Sequence, residues 1–354
     1  MKRGATDWPA VAVALAGRIA HDALHPGAMQ TAWADFERDQ RRRPRHRPRW
    51  AVAFSGGADS LALLLILWAE GPGRWGRDLV ALHFNHRLRG RAADADERFC
   101  ARVCAALGVK FVAGRWREAR RGASEAAARA ARFDFFHREM RRRSIRHLWL
   151  GHQQDDIAES MLMRLARGSG TGGLAAPRPA QAMPAGRWHL RPLLTLKKAE
   201  IMQALRAAGA TWREDATNVR GDFFRNRIRR RVLPAWRRAA GRDALAGAAL
   251  ARELLEDDDA ALEAWLDEAR PLTRGGSLDL ERLSGRPRAL VRRAVRRWLA
   301  VHPEAGELSR AGFEDLLAAV LAGQATRRSL GRDGFAVIGG GRLRWERRRR
   351  HGAK

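Results

Sequence analysis

The string Ser55-Gly56-Gly57-Ala58-Asp59-Ser60 follows the apolar run Trp50–Phe54 and opens a helical pattern that continues through Trp68. Strand, glycine turn and helix in that order place backbone N–H groups at a helix N-terminus, where unpaired donors and the helix dipole favour phosphate. Gly56 and Gly57 permit close backbone approach and φ values that side chains resist. Ser55 and Ser60 add hydroxyl donors. An ordinary strand-to-helix turn is the plain alternative, since Ser-Gly-Gly alone arises by chance; the whole string behind an apolar strand argues against it. No Gly-x-x-x-x-Gly-Lys-Ser/Thr occurs, so this is not the kinase-type phosphate loop.

The same alternation continues downstream. Leu79–Phe84, Lys110–Ala113, His147–Leu150 and Trp188–Leu193 read as strands. Helical patterns near Asp94–Leu107, Ser124–Arg143, through Arg167 and over Lys197–Ala208 separate or follow them. This spacing predicts an α/β fold, a parallel sheet with helices on both faces. Ligands of such sheets bind at the carboxyl ends of the strands.

Four regions are expected. Residues 1–48 form a helical and basic extension closing on the linker Arg41-Arg42-Arg43-Pro44-Arg45-His46-Arg47-Pro48-Arg49. Residues 49–238 form the catalytic domain, and 239–272 a helical linker whose acidic cluster (Glu253, Glu256 to Asp259) reads as a solvated face. Residues 273–354 read as a small α+β domain. There Leu290–Leu299 alternates an apolar stripe with arginines, and Arg347–Arg350 makes a basic tail.

Formal net charge is +29 over 354 residues, and only five of the 68 basic residues are lysine. Self-repulsion of that size does not help folding, so a polyanionic partner, nucleic acid first, is the simplest explanation. Codon bias is the plain alternative, and the absence of Tyr fits it. Two cysteines, Cys100 and Cys104, exclude a disulfide framework and suit a reducing cytoplasm. They read as lying away from the site motifs. No stretch approaches the roughly 20 apolar residues of a membrane span. Apolar helix faces serve a core or a homodimer equally well, so a homodimer stays open.

Asp59 sits in the first turn of the loop helix. A carboxylate there offsets the dipole, but beside a polyphosphate it repels unless Mg²⁺, typically held by one or two carboxylates plus phosphate oxygens, intervenes. Asp59 is therefore the first metal candidate. A second constellation, Gly151-His152-Gln153-Gln154-Asp155-Asp156-Ile157-Ala158-Glu159, follows the His147–Leu150 strand. Spacing of four puts Asp155 with Glu159, and His152 with Asp156, on common helical faces, a set suited to metal and general-base work. Helix capping is the alternative reading. Arg164 to Gly173 is then a basic glycine loop, suited to covering a substrate or contacting phosphate.

These residues, in order, resemble the tRNA(Ile)-lysidine synthetases of the PP-loop ATP-pyrophosphatase superfamily. The match comprises Ser55–Ser60, Leu82–Arg89, Glu125 through Phe133, Gly151–Glu159, Arg167-Gly168-Ser169-Gly170 with Gly173-Leu174, Arg191-Pro192-Leu193-Leu194, Asp215-Ala216-Thr217-Asn218, Arg225-Asn226-Arg227-Ile228-Arg229 and Leu233-Pro234. The first motif marks the superfamily; the ordered set is specific to the lysidine enzymes. Phe133, Ile157 and Thr217 stand where the family often has Tyr, Gln and Ser. Longer members of the family carry a further C-terminal domain, and the resemblance leads us to expect none in the sequence up to residue 354.

The resemblance implies ATP and Mg²⁺ as cofactors, with tRNA(Ile) bearing a CAU anticodon and free L-lysine as substrates. The 2-oxygen of the wobble cytidine attacks the α-phosphate of ATP, and the lysine amine then displaces AMP at the 2-carbon. Ser55, Gly56, Gly57, Ala58, Asp59, Ser60 and His83 would hold ATP, with Asp59 and Asp156 on the metal. Asp59, His152, Asp155, Asp156, Arg191 and Arg225 would be catalytic. Glu125, Arg132, Glu159, Arg167, Gly168, Ser169 and Asn226 would meet the substrates, and residues 273–354 the tRNA. The rivals are a tRNA-thiolating enzyme of the same superfamily, which needs catalytic cysteines or a cluster, and an amidating ligase, which leaves the basic surface unexplained.

Overall fold

The computed structural model describes residues 6–19, 21–42, 49–70, 79–88, 90–117, 124–214, 224–303, 308–331 and 334–348. Most of the basic linker, the Asp215–Asn218 motif and the end of the basic tail lie outside the described residues.

The chain divides into two compact units, Met1–Leu255 and Glu256–Lys354. In the first, the elements run α1 (Trp8–Ala16), α2 (Pro26–Arg42), β1 (Trp50–Ala53), α3 (Ala58–Ala69), β2 (Leu79–Asn85), α4 (Arg91–Ala106), β3 (Lys110–Arg115), α5 (Glu125–Arg142), β4 (His147–Trp149), α6 (Gln154–Leu165), α7 (Thr171–Leu174), β5 (Ala180–Met183), β6 (Arg187–Leu190), α8 (Lys198–Ala207), α9 (Phe224–Arg227), a π-helical turn over Ile228–Val232, and α10 (Leu233–Ala239). The helix α11 (Ala244–Ala269) contains the division between the units.

The sheet order is β3-β2-β1-β4-β6-β5. All neighbours pair in parallel except β5, which runs antiparallel to β6. Central β1 is an uninterrupted apolar run, as burial on both faces requires, with Trp50, Ala51 and Val52 at most 1% exposed. On one face α3 buries Leu61 to Leu67 in a core shared with α1, α4 and α8. On the other, Phe135, Phe136 and Met140 of α5 pack on Val80, Leu82 and Leu148. The N-terminal helices join this core: Trp8 meets Phe99 edge-to-face at 5.9 Å. The expected parallel sheet is found in five strands, and the antiparallel edge β5 adds a sixth that the sequence reading did not include. Its sequence Ala-Gln-Ala-Met has no β-branched residue, so β propensity could not announce it.

The second unit continues with β7 (Leu278–Asp279), α12 (Arg288–Ala300), α13 (Arg310–Ala322), β8 (Thr326–Ser329), β9 (Gly334–Gly339) and β10 (Arg342–Arg347). Its antiparallel sheet, β7-β10-β9-β8, packs Leu278, Ala336, Ile338 and Leu343 with Leu290, Val295 and Trp298 of α12. The expected solvated acidic face needs one correction. Asp259 is 4% exposed and pairs with Arg293 at 2.5 Å, because the amphipathic α12 turns that arginine inward. No helix among the described residues is long and apolar enough to cross a membrane.

Candidate active site

Five strands of the first unit end on one edge, and β1 and β4 are neighbours there. The loop after β1 holds itself in shape. Ser55 N–H donates to Ser60 Oγ at 3.2 Å, the two hydroxyl oxygens lie 3.0 Å apart, and Ser60 Oγ donates to Gly57 O at 3.0 Å. Gly56 has φ +88°, and a Cβ there would stand 3.1 Å from Cys100 Sγ. Two reasons, handedness and space, thus demand glycine. Gly57 caps α3 without a side-chain hydrogen bond, which leaves first-turn amides for an anion. His83 is buried beneath, its Nδ1 donating to Phe54 O at 2.9 Å. After β4, a Cβ on Gly151 would come within 3.0 Å of Asp59 backbone atoms; that close approach joins the two constellations.

Asp59 is the anomalous carboxylate. Its Oδ1 is buried with no hydrogen-bond partner, and Lys198 Nζ stands 3.7 Å from Oδ2. Burial raises its pKa to about 6 against the pull of Lys198, with Asp156 and Asp155 adding repulsion.

The helix α6 differs from expectation. Gln153 is its cap: Gln153 Oε1 accepts from Asp155 N–H at 2.6 Å, and Asp156 Oδ2 accepts from Gln153 N–H at 3.0 Å. His152 therefore precedes the helix and shares no helical face with Asp156. Asp155 keeps its place four residues before Glu159 on α6, and its Oδ2 accepts the Lys198 N–H at 3.0 Å. Asp156 and Glu159 are bridged by two arginines. Arg225 reaches Asp156 at 2.5 Å and Glu159 at 2.8 Å; Arg229 reaches Glu159 at 2.5 Å. Glu159 is 1% exposed. Burial works against the Arg225 charge, but Asp156 and Glu159 outweigh it and raise the pKa.

Beside this balanced group lies an unbalanced one. Burial, then the charges of Arg191, Arg225, Arg129 and Arg132, hold His152 neutral, far below the usual imidazole range; its Nδ1 is buried without a partner. Arg191 is 3% exposed and, among the described residues, donates to two neutral acceptors, Arg178 O at 2.7 Å and Gln181 Oε1 at 3.1 Å. Burial and neighbouring arginines bring it down to about 10, and Arg132 likewise. The guanidinium groups of Arg129 and Arg132 lie 4.8 and 5.5 Å from the Phe133 ring centroid. Glu125, capped into α5 behind Ser124, is the nearest compensating carboxylate. The structure thus brings Asp59, His152, Asp155, Asp156, Glu159, Arg191, Arg225, Glu125 and Arg132 into one electrostatic neighbourhood. Arg167 and Gly168 are exposed, and Asn226 is half-buried on α9.

Sequence reasoning assigned no role to Arg129, Lys198, Arg213 and Arg229. Arg213 N–H donates to Gly56 O at 2.9 Å while its side chain pairs with buried Asp96 at 2.7 Å, strapping the loop. A faint signal marks Lys198: Lys197-Lys198 is the one adjacent lysine pair in an arginine-dominated chain. The cysteines also need correction. Cys100 packs directly under Gly56, because α4 covers the same sheet face as α3. Both thiols are buried and burial pushes them up, Cys104 to about 12, so neither is a nucleophile.

No three metal-binding side chains cluster among the described residues. Mg²⁺ fits all the same, because it usually shares one or two carboxylates with phosphate oxygens, and Asp59 Oδ1 is an open buried donor. Asp156 has both oxygens engaged.

The model of the PP-loop domain family matches residues 30–236, more than half of the chain. The tRNA(Ile)-lysidine synthase of Geobacter sulfurreducens is 38% identical over 282 residues, 75% of this chain and 57% of its own. That of Solibacter usitatus is 37% identical over 272 residues, 75% and 59%. That of Pseudomonas putida is 34% identical over 307 residues, 84% and 70%. The chain spans a little over half the length of the first two. By the family model and by these relatives, the chain belongs to the PP-loop family and, within it, to the tRNA(Ile)-lysidine synthases.

Proposed function

We propose that the chain ligates lysine to the 2-carbon of the wobble cytidine of tRNA(Ile) with a CAU anticodon, using ATP. The observation that carries this reading is the pairing of an orphan carboxylate, Asp59, with an uncompensated arginine and histidine cluster at the same strand ends. Such a site lacks two things, a cation and a polyanion.

In the first step the cytidine 2-oxygen attacks the α-phosphorus of ATP and pyrophosphate leaves. The amides of Gly57 to Asp59 and the hydroxyls of Ser55 and Ser60 receive the phosphates. Mg²⁺, when bound through Asp59, supplies neutralisation of the triphosphate; Asp156 stands next to Asp59 as the second carboxylate. Arg191 and Arg132 balance charge that develops on the phosphoryl group. In the second step a lysine amine attacks the 2-carbon and AMP departs with the bonding electrons. The amine must first lose its proton, from an ordinary pKa near 10.4. The positive field that holds His152 neutral also lowers the pKa of an ammonium arriving beside it. Asp155 and Glu125 are the carboxylates placed to take that proton or to orient the amine. Ser169 and Asn226, with the exposed Arg167 and Gly168, are assigned to the RNA side. Two buried, high-pKa thiols count against the thiolating alternative.

Incubation with tRNA(Ile) transcript, ATP and labelled lysine tests the reading. We expect label in the tRNA, with one AMP and one pyrophosphate per lysine and none when cytidine 34 is replaced by uridine. Failure to incorporate label while ATP is consumed would overturn it.

A further inference from the structure

We propose that a second nucleotide-binding pocket lies beside the candidate active site, shaped for an unpaired RNA nucleotide next to the one being modified. The cavity measures about 810 Å³, and Phe84, Arg87, Arg115, Trp116, Arg117 and Arg138 line it. It opens at the carboxyl ends of β2 and β3, one and two strands from the phosphate loop, hence about 10 Å away at ordinary strand spacing. One helix serves both places: α5 gives Glu125 and Arg132 to the active site and Arg138 to the pocket. This inference rests on the functional reading above, since it takes the substrate to be RNA.

One buried polar residue, Asn85, organises the groups behind the pocket lining. Asn85 is 2% exposed. Its side chain donates to Asp94 and Glu97 at 3.0 and 2.9 Å and accepts the Arg87 N–H at 2.9 Å, which holds Arg87 at φ +56°. Glu97 grips Arg115 with two hydrogen bonds, at 2.9 and 3.2 Å. Burial alone would raise the Glu97 pKa; the bonds from Arg115 and Asn85 lower it overall, so it stays charged. The floor needs Gly114, since a Cβ there would enter the Phe135 ring at 2.4 Å. Two rings of the lining, Phe84 and Trp116, are linked by His86, which stands edge-on to both. The lining also holds two acids: Asp134, and Glu139, which pairs with Arg143 and lies 3.9 Å from Arg138. An aromatic surface ringed by guanidinium groups is what unpaired RNA bases and their phosphates bind. Four arginines around one cavity favour a polyanion over a neutral ligand.

The test is binding of a fluorescently labelled single-stranded oligoribonucleotide to the full chain across a salt series, with ATP binding measured separately. Trp116→Ala should weaken RNA binding about 5- to 100-fold, and Trp116→Phe, which keeps a stacking ring, should recover most of it. Arg138→Ala should reduce the log–log salt slope by about 0.7. ATP affinity should stay unchanged in all three. RNA binding by Trp116→Ala and Arg138→Ala equal to the parent overturns the pocket and leaves lysidine formation standing; a parent chain that binds no RNA overturns both. Loss of ATP binding in parallel with RNA binding overturns the pocket as a separate site. Competition by polyglutamate as strong as that by RNA would assign it to an acidic polypeptide and overturn it too.

Discussion

Around Glu159 every charge is answered: two arginines share Glu159 and Asp156, and the capping box of α6 takes the remaining Asp156 oxygen. A few residues away, Asp59, His152, Arg132 and Arg191 are buried or half-buried with their charges and polar atoms incompletely matched. One half has the composition of a frame and the other of a receptor. Buried charge without a partner costs free energy, so its persistence beside a satisfied network points to ligands rather than to the fold.

Removing the centre of the frame should have the largest effect on stability. Glu159→Ala removes a buried carboxylate shared by two half-buried guanidinium groups, which costs roughly 3–5 kcal/mol; denaturant unfolding of the full chain measures it. Stability equal to the parent would place Glu159 on the receptor side instead. Arg132→Gln should act in the opposite sense. It relieves like-charge crowding, so the fold should lose less than about 1 kcal/mol while RNA affinity falls and its salt slope drops by about 0.7. A large loss of stability would move Arg132 into the frame. The smallest effect concerns pH. Lys198 pulls the Asp59 pKa down, so Lys198→Met should raise it above about 6. Only ionised Asp59 can bind a cation. The acid limb of Mg²⁺ dependence, where activity is lost as pH falls, should then move upward by up to about one pH unit. An unchanged limb would show that another group governs it.

Much of the frame was legible in the sequence. The strand–glycine–helix order located the loop, and apolar periodicity located α5 and α12, because both depend on neighbours in the chain. The acid and base types at 155–159 and 225–229 were visible as well. Their partition was not. That Asp155 would accept the Lys198 amide depends on a residue 43 positions away, and His152 left the helix because Gln153 won the cap. Arg213 over Gly56 and Cys100 beneath it are likewise products of packing between distant segments, and no local pattern encodes them.

The distinction between frame and receptor meets its most direct test in the thermal unfolding of the parent and Asp59→Asn, with and without Mg²⁺-ATP. The folded pKa of Asp59, about 6, lies above the ordinary aspartate value of 3.8. Folding therefore favours the protonated form, and the ligand-free chain loses this contribution as pH rises through that window. At pH 7, Asp59→Asn should be the more stable ligand-free protein by about 1–3 kcal/mol, a rise of several degrees for a unit of this size. The advantage should shrink toward pH 5, and Mg²⁺-ATP should stabilise the parent far more than the variant. A ligand-free Asp59→Asn that is less stable than the parent at pH 7 would contradict the account, because Asp59 would then belong to the frame.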